Sequence, residues 1–314
     1  MEALGRFPKI QSYRERTWGI EMRILSTFLI GISAGSIYSL MALALVLVWR
    51  STRVVNFAQA GQAILSTYIG YVVISHTNNY WLALPVAVIA GGLIGGLVDI
   101  LLIRPVSKRT NNEVAPIILT LGLLGLLRSL VGITWGGDLR QYKAPITNHG
   151  FQIGSTTIPF SPFNLLIVIT SLIVMACFTI IFQRTNLGLS LRAAAFSPEI
   201  ARLSGVRVDL VRTVGWVFAG SAGAVAGVLI TPQNGLTPNS LDLLLVLGFV
   251  GAVIGGLESL TGAVIGGLVL GIGLAFILEY ISTSLAFASA FMVLIIVLII
   301  KPAGIFGKAG PRDA

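Results

Sequence analysis

Few side chains in this chain are of a kind that does chemistry, and their spacing works against them. Among 314 residues there are two histidines and one cysteine. His76 and His149 fall in polar connections far apart in the sequence, and Cys177 stands alone inside an apolar run. A zinc site needs three or four converging ligands, and a lone thiol can close no internal disulfide, so no metal site is expected. A nucleophile also needs a base within hydrogen-bond reach, and no such pair can be assembled; no catalytic residue is assigned. The string nearest to a phosphate loop, GIFGKAG at 304–310, has no Ser or Thr after Lys308 and no glycine at the required upstream spacing. This chain is not expected to hydrolyse ATP.

Charge is the more informative chemistry. The segment 184–212 is long, polar and basic, and carries Arg184, Arg192, Arg202, Arg207 and Arg212 against Glu199 and Asp209. Helix-forming stretches inside it make it a surface that another protein could hold. Within the apolar runs, the notable ionisable residues are Asp99, just before Arg104, and Arg128. Asp99 is expected to pair locally or snorkel, and Arg128 to snorkel outward. A carrier driven by protons or voltage needs ionisable groups deep in its bundle. Two marginal candidates point instead to an engine on another chain.

The elements that position these groups are membrane helices. Hydrophobic residues make up 55% of the chain and charged residues 11%, against about 25% charged in soluble domains. Crossing a hydrocarbon core takes about 20 apolar residues. Candidate runs lie at 24–49, 62–75, 81–103, 114–134, 163–183, 213–231, 241–256, 261–279 and 285–300, with the second and seventh short, so eight or nine helices are expected. The net charge of +9 is spread over short connections, which reads as membrane topology and not as nucleic-acid binding. With residue 24 starting outside, segments 50–61, 104–113, 184–212 and 301–314 face the cytoplasm with thirteen basic residues, while the external loop 135–162 holds Arg140 and Lys143. The C-terminus is therefore expected inside. Residues 1–23 are polar and basic and are expected to form an uncleaved surface segment, with Met22 as an alternative start. The loop 135–162 has the alternation and turn residues of a short hairpin.

Two polar breaks at the ends of these runs are candidates for lining a path, because interrupted helices offer free backbone groups to a polar solute. The first supplies Asn56, Gln59 and Gly61, and the second Glu258 and Ser259. A weak repeat relates 56–105 to 255–302: each starts at such a break, passes two apolar runs and ends in a base followed by proline. Small-residue pairs four apart recur at Gly31/Gly35, Gly91/Gly95, Gly223/Gly227, Gly251/Gly255, Gly262/Gly266 and Gly267/Gly271. They permit close helix contact within the chain or across a dimer seam.

The strings GISAGSIYSLMALALVLVWRSTRVVNFAQAGQ, APIILTLGLLGLL, LRAAAFSPEIARLSGV and GFVGAVIGGLESLTGAVIGGLVLGI resemble the membrane permeases of branched-chain amino acid ABC importers, over about 24–307. The resemblance implies an all-α polytopic bundle in the bacterial inner membrane. It implies a second permease subunit, identical or related, two cytoplasmic ATPase subunits carrying ATP and Mg, and an extracytoplasmic substrate-binding protein. Residues 192–205 would be the ATPase-coupling helix, with Arg192, Ala193, Ala194, Glu199, Arg202 and Gly205 on or beside it. Residues 1–23 and 308–314 would flank the permease domain. Where the family often has His-Gly, this chain has Gln59-Ala60, a departure that bears on the solute; related permeases move urea and short amides. A self-powered carrier or channel, and a scaffold without transport, are the rival readings.

Overall fold

Ten consecutive residues near the start of the bundle, Ser39 to Val48, are buried on every side. A helix that is apolar all round belongs at the centre of a bundle, and the others are arranged about it. The computed structural model describes residues 8–109, 114–153 and 156–307. The central helix α1 runs Pro8–Thr52, followed by α2 (Gln59–Thr77), α3 (Tyr80–Val98), a π-helical turn (Asp99–Ile103) and α4 (Arg104–Arg109). Then come α5 (Val114–Trp135), the strands β1 (Phe151–Ile153) and β2 (Thr156–Ile158), α6 (Pro162–Arg184), α7 (Asn186–Phe196) and α8 (Pro198–Leu203). The chain closes with α9 (Val208–Asn234), α10 (Asp242–Gly255), α11 (Leu260–Tyr280) and α12 (Ala286–Ile300).

Each apolar run of the sequence coincides with one of these helices, and six among the described residues are long and apolar enough to cross a membrane. The all-α polytopic bundle is thus the observed fold, with an antiparallel hairpin, β1–β2, in the loop 135–162 where one was expected. The first helix differs from expectation at its start. It begins ahead of the apolar run, and α1 continues unbroken from Pro8 through Ile24. Residues 1–7 and the tail 308–314 lie outside the described residues. Helix α10 has 14 residues, about 21 Å at 1.5 Å per residue, too short to span a core of about 30 Å.

Helix ends follow local chemistry. Asn79, Ser161, Thr185 and Ser259 each cap the following helix by accepting a backbone N–H three residues on, the usual role of short polar side chains. The helices then pack through their small residues. A Cβ added at Gly91 would lie 2.5 Å from the Gly220 carbonyl oxygen, and one at Gly251 would lie 2.9 Å from the Gly267 Cα. The first contact joins α3 to α9 and the second joins α10 to α11, while Gly31 and Gly35 meet Ile272 and Leu268 across α1 and α11. All six small-residue pairs are engaged inside the chain. The two proposed repeat units are both helical hairpins, α2–α3 and α11–α12, each starting and finishing at the same end of the bundle.

That end is the basic one. Arg53 bonds Glu258 there, and the Ile305 N–H donates to the Ile254 carbonyl at 2.8 Å. At the opposite end Arg23 bonds Glu279 at 2.8 Å, and Arg140 pairs with Leu236 in a two-residue bridge. The buried Tyr142 stacks obliquely near Tyr80 there; burial pushes its phenol well above the usual range.

Asp99 ties the basic end together. It is fully buried, and its pairing is wider than the local partner expected. Arg212 Nε donates to Oδ1 at 3.0 Å, Thr213 Oγ1 donates to Oδ2 at 2.7 Å, and Arg104 lies 3.4 Å from Oδ2. Breaking a buried pair strands charge in a low dielectric and costs about 3–5 kcal/mol, whereas an exposed pair contributes about 1 kcal/mol or less. Thermal melting of the purified protein is therefore expected to show a large drop for Asp99→Ala and almost none for Arg23→Ala; equal effects would contradict the assignment.

Candidate functional site

The polar segment folds into two short helices set at an angle. Thr185 starts α7 by accepting the Gly188 N–H at 3.3 Å. Pro198 ends it, because a residue before proline is driven out of the helical region; Ser197 is extended at φ −149°, ψ 98°. Gly205 takes φ +83°, the left-handed conformation that lets glycine close a helix and reverse the chain. Leu191, Ala194 and Ala201 are buried and hold the pair of helices to the bundle.

The outer face is apolar. Phe196 and Leu203 are 90% exposed and Ile200 is 63% exposed. These three were not singled out from the sequence, where the segment was classed by its charges; their spacing of four and three residues was the available signal. Around them, Ala193, Glu199 and Arg202 are exposed, and Arg202 pairs with Asp209 at 3.5 Å. Asp209 also receives Lys108 at 3.2 Å, which links α8 through α9 to α4. Of the six expected coupling residues, Ala194 points inward and Gly205 serves the turn. Arg192 lies on the other side of the segment, where it lines a cavity with Arg50, Arg53 and Glu258.

The first polar break is a buried amide cluster. Asn56, Gln59 and Gln62 are all fully buried. Asn56 Nδ2 donates to Gln59 Oε1 at 3.0 Å and approaches Gln62 Oε1 at 3.5 Å, and Gln59 Nε2 donates to the Ala219 carbonyl at 2.9 Å. Gln62 was the member that sequence reading missed. Among the described residues, Asn56 Oδ1 and Gln62 Nε2 have no partner. A buried amide atom without a partner costs about 1–3 kcal/mol. Gly61 is closed over by Leu124 and Leu127 of α5; an added Cβ would meet Leu127 at 3.1 Å. In the second break, Glu258 is exposed and held by Arg53, and Ser259 Oγ accepts the Gly262 N–H at 2.9 Å. The Arg53–Glu258 bond brings the two breaks side by side.

Arg128 does not snorkel as expected. It bonds Asp242 at the start of the short helix α10, so its partner comes from a helix 114 residues away in the chain. Among the described residues no group of three or more His, Cys, Asp or Glu is placed to hold a metal ion.

The family described as branched-chain amino acid transport system, permease component, matches residues 27–300. A probable branched-chain amino acid transport permease protein LivH of Methanocaldococcus jannaschii is 27% identical, over 85% of this chain and 88% of its own length. The high-affinity permease protein LivH of Salmonella typhimurium is 28% identical over 88% of this chain and 94% of its own. BraD of Pseudomonas aeruginosa is 27% identical with the same coverage. A more partial similarity, 28% identity over 59% of this chain, joins it to the autoinducer 2 import permease LsrC of Escherichia coli. No solved structure matches. With membrane-spanning helices around a buried amide cluster and a match over most of its length, the chain is an integral membrane protein that belongs to the family of permease components of branched-chain amino acid transport systems.

Proposed function

We propose that the chain is one membrane subunit of an ATP-driven importer for branched-chain amino acids or a similar small polar solute. It works by alternating access beside a second permease subunit, is fed by an extracytoplasmic binding protein, and is driven by two ATPase subunits that carry ATP and Mg. The observation that carries this reading is the exposed face of Phe196, Ile200 and Leu203, fringed by the charged Glu199 and Arg202. An apolar centre with a polar rim suits a soluble protein surface. The basic end is assigned to the cytoplasm by the excess of Arg and Lys there. The amide cluster of Asn56 and Gln59, with Gly61 at its edge and Glu258 and Ser259 beside it, is assigned to the path. Movement of α7–α8 would reach it through α9, whose Ala219 carbonyl receives Gln59.

One feature favours a different engine. The half-buried Arg128–Asp242 pair joins the apolar helices α5 and α10, and a self-powered carrier keeps ionisable groups within its bundle. The two readings separate on reconstitution with ATPase subunits whose phosphate-loop lysine is replaced. Uptake is expected to stop; persistent uptake would favour the self-powered carrier.

Phe196→Asp combined with Leu203→Asp should weaken ATPase retention by more than ~10-fold, since buried interface anchors each contribute about 2 kcal/mol or more, while the permease stays in the membrane. Glu199→Ala and Arg202→Ala should leave insertion intact and lower the solute moved per ATP hydrolysed. Co-purification and proteoliposome uptake measure both, and unchanged values would remove the docking assignment.

Sidedness is tested with Cys177→Ser as background and a membrane-impermeant maleimide on intact cells. His149→Cys is expected to label at once and Ser204→Cys only after permeabilisation. The reverse pattern would invert the topology.

A further inference from the structure

Beside the coupling segment lie two adjoining cavities of about 530 and 150 Å³. Arg50, Arg192 and Glu258 line both, Arg184 lines the larger and Arg53 the smaller. Four guanidinium groups thus face one carboxylate, and Arg53 already bonds that carboxylate. Arg50 is half-buried, and among the described residues no hydrogen bond or ion pair is made by its guanidinium. An arginine cannot shed its proton to relieve repulsion from its neighbours. Like charges gathered around a cavity repel, and an added anion would offset that repulsion.

The wall of the larger cavity has a second anion-seeking feature. Ser259, Leu260 and Thr261, at the N-terminus of the 21-residue helix α11, line it. Ser259 Oγ takes the Gly262 N–H, and the N–H groups of Leu260 and Thr261 have no protein partner among the described residues. Helix N-termini with free N–H groups favour phosphate oxygens, and planar guanidinium groups match the same oxygens in pairs. Phe182 and Phe306 supply the apolar part of the lining, and Phe306 itself is 46% exposed at the bundle end.

We propose that this cavity is an oxyanion site that holds a phosphate group between Arg50, Arg184, Arg192 and the N-terminus of α11. The exposed Phe306 beside the polar lining favours the headgroup of an anionic phospholipid, with its chains along Phe306, over soluble phosphate. Basic pockets between helices at a membrane face are suited to such headgroups. The site is independent of whether an ATPase drives the chain, because it depends only on the arginines and on the membrane setting.

The test uses the full-length purified chain with three probes: vesicles of phosphatidylcholine, the same vesicles containing phosphatidylglycerol, and inorganic phosphate. Lipid retained through detergent exchange is read by native mass spectrometry, and the melting midpoint of the wild type is read with each probe. Phosphatidylglycerol is expected to be retained and to raise the midpoint, phosphatidylcholine not. Arg50→Gln and Arg192→Gln should each weaken retention about 5-fold. Should either fail to fold, the exposed Arg184→Gln and the wild-type melting series carry the test alone. A response to inorganic phosphate equal to that of phosphatidylglycerol keeps the oxyanion site and assigns it to a soluble ligand. Equal retention of both lipids with no response to phosphate, or retention unchanged by every arginine substitution, overturns it.

Discussion

The carboxylate of Asp99 is the constraint on which the basic end depends. Inside a membrane protein a charged group needs its partners from the protein itself, and Asp99 takes them from the start of α9 and from α4. This pins α3 and α9 together at their basic ends. Higher up, the same two helices touch backbone to backbone at Gly91 and Gly220. A polar anchor at one end and a glycine contact in the middle make α3 and α9 a single stiff unit. The π-helical turn that starts at Asp99 sits where such insertions commonly mark functional positions. Asp209 extends the anchor outward through Lys108 and Arg202, so a force on α8 is delivered to a braced pair of helices and not to a loose loop.

Against this stiff unit, the flexible places are the two breaks. Residues 53–58 and 256–259 interrupt the helices, and Arg53 and Gly256 both adopt positive φ. Their one cross-link is the exposed Arg53–Glu258 bond, which is screened by water and weak. Buried between α2 and α9 is the amide cluster, whose unpartnered atoms record incomplete satisfaction in the present arrangement. A conformational change is easiest where exposed weak bonds break and buried unsatisfied groups gain partners. The unsatisfied groups belong to Asn56 and Gln62, and the weak exposed bond is that of Arg53, three residues before Asn56.

The sequence made the helices legible because hydrophobic runs respond to one local rule, the length needed to cross lipid. The hairpin and the inward-facing small residues followed from equally local patterns. What escaped was pairing at a distance. Asp242 reads as the start of a short helix, and nothing nearby announces Arg128. Asp99 had an obvious neighbour in Arg104, which hid Arg212 and Thr213. Gln62 looked like the first residue of an apolar run and proved to be the third member of the amide cluster. The apolar stripe of Phe196, Ile200 and Leu203 was missed for another reason: the segment was read by its charges, and the bend at Ser197 divides the stripe between two helices.

The two faces of α7–α8 solve different physical problems. The outer face offers apolar area to water, which is unfavourable unless a partner covers it. The inner face holds arginines that repel one another across a cavity, and Phe196 lies at the edge of both surfaces, nearly fully exposed yet lining the smaller cavity. Covering the outer face would therefore also reduce water access to Arg50 and Arg192. Lower dielectric strengthens both their repulsion and any bond to an anion. Phe196 thus belongs both to the proposed docking face and to the lining of the smaller cavity, and through it occupancy of one proposed site would bear on the other.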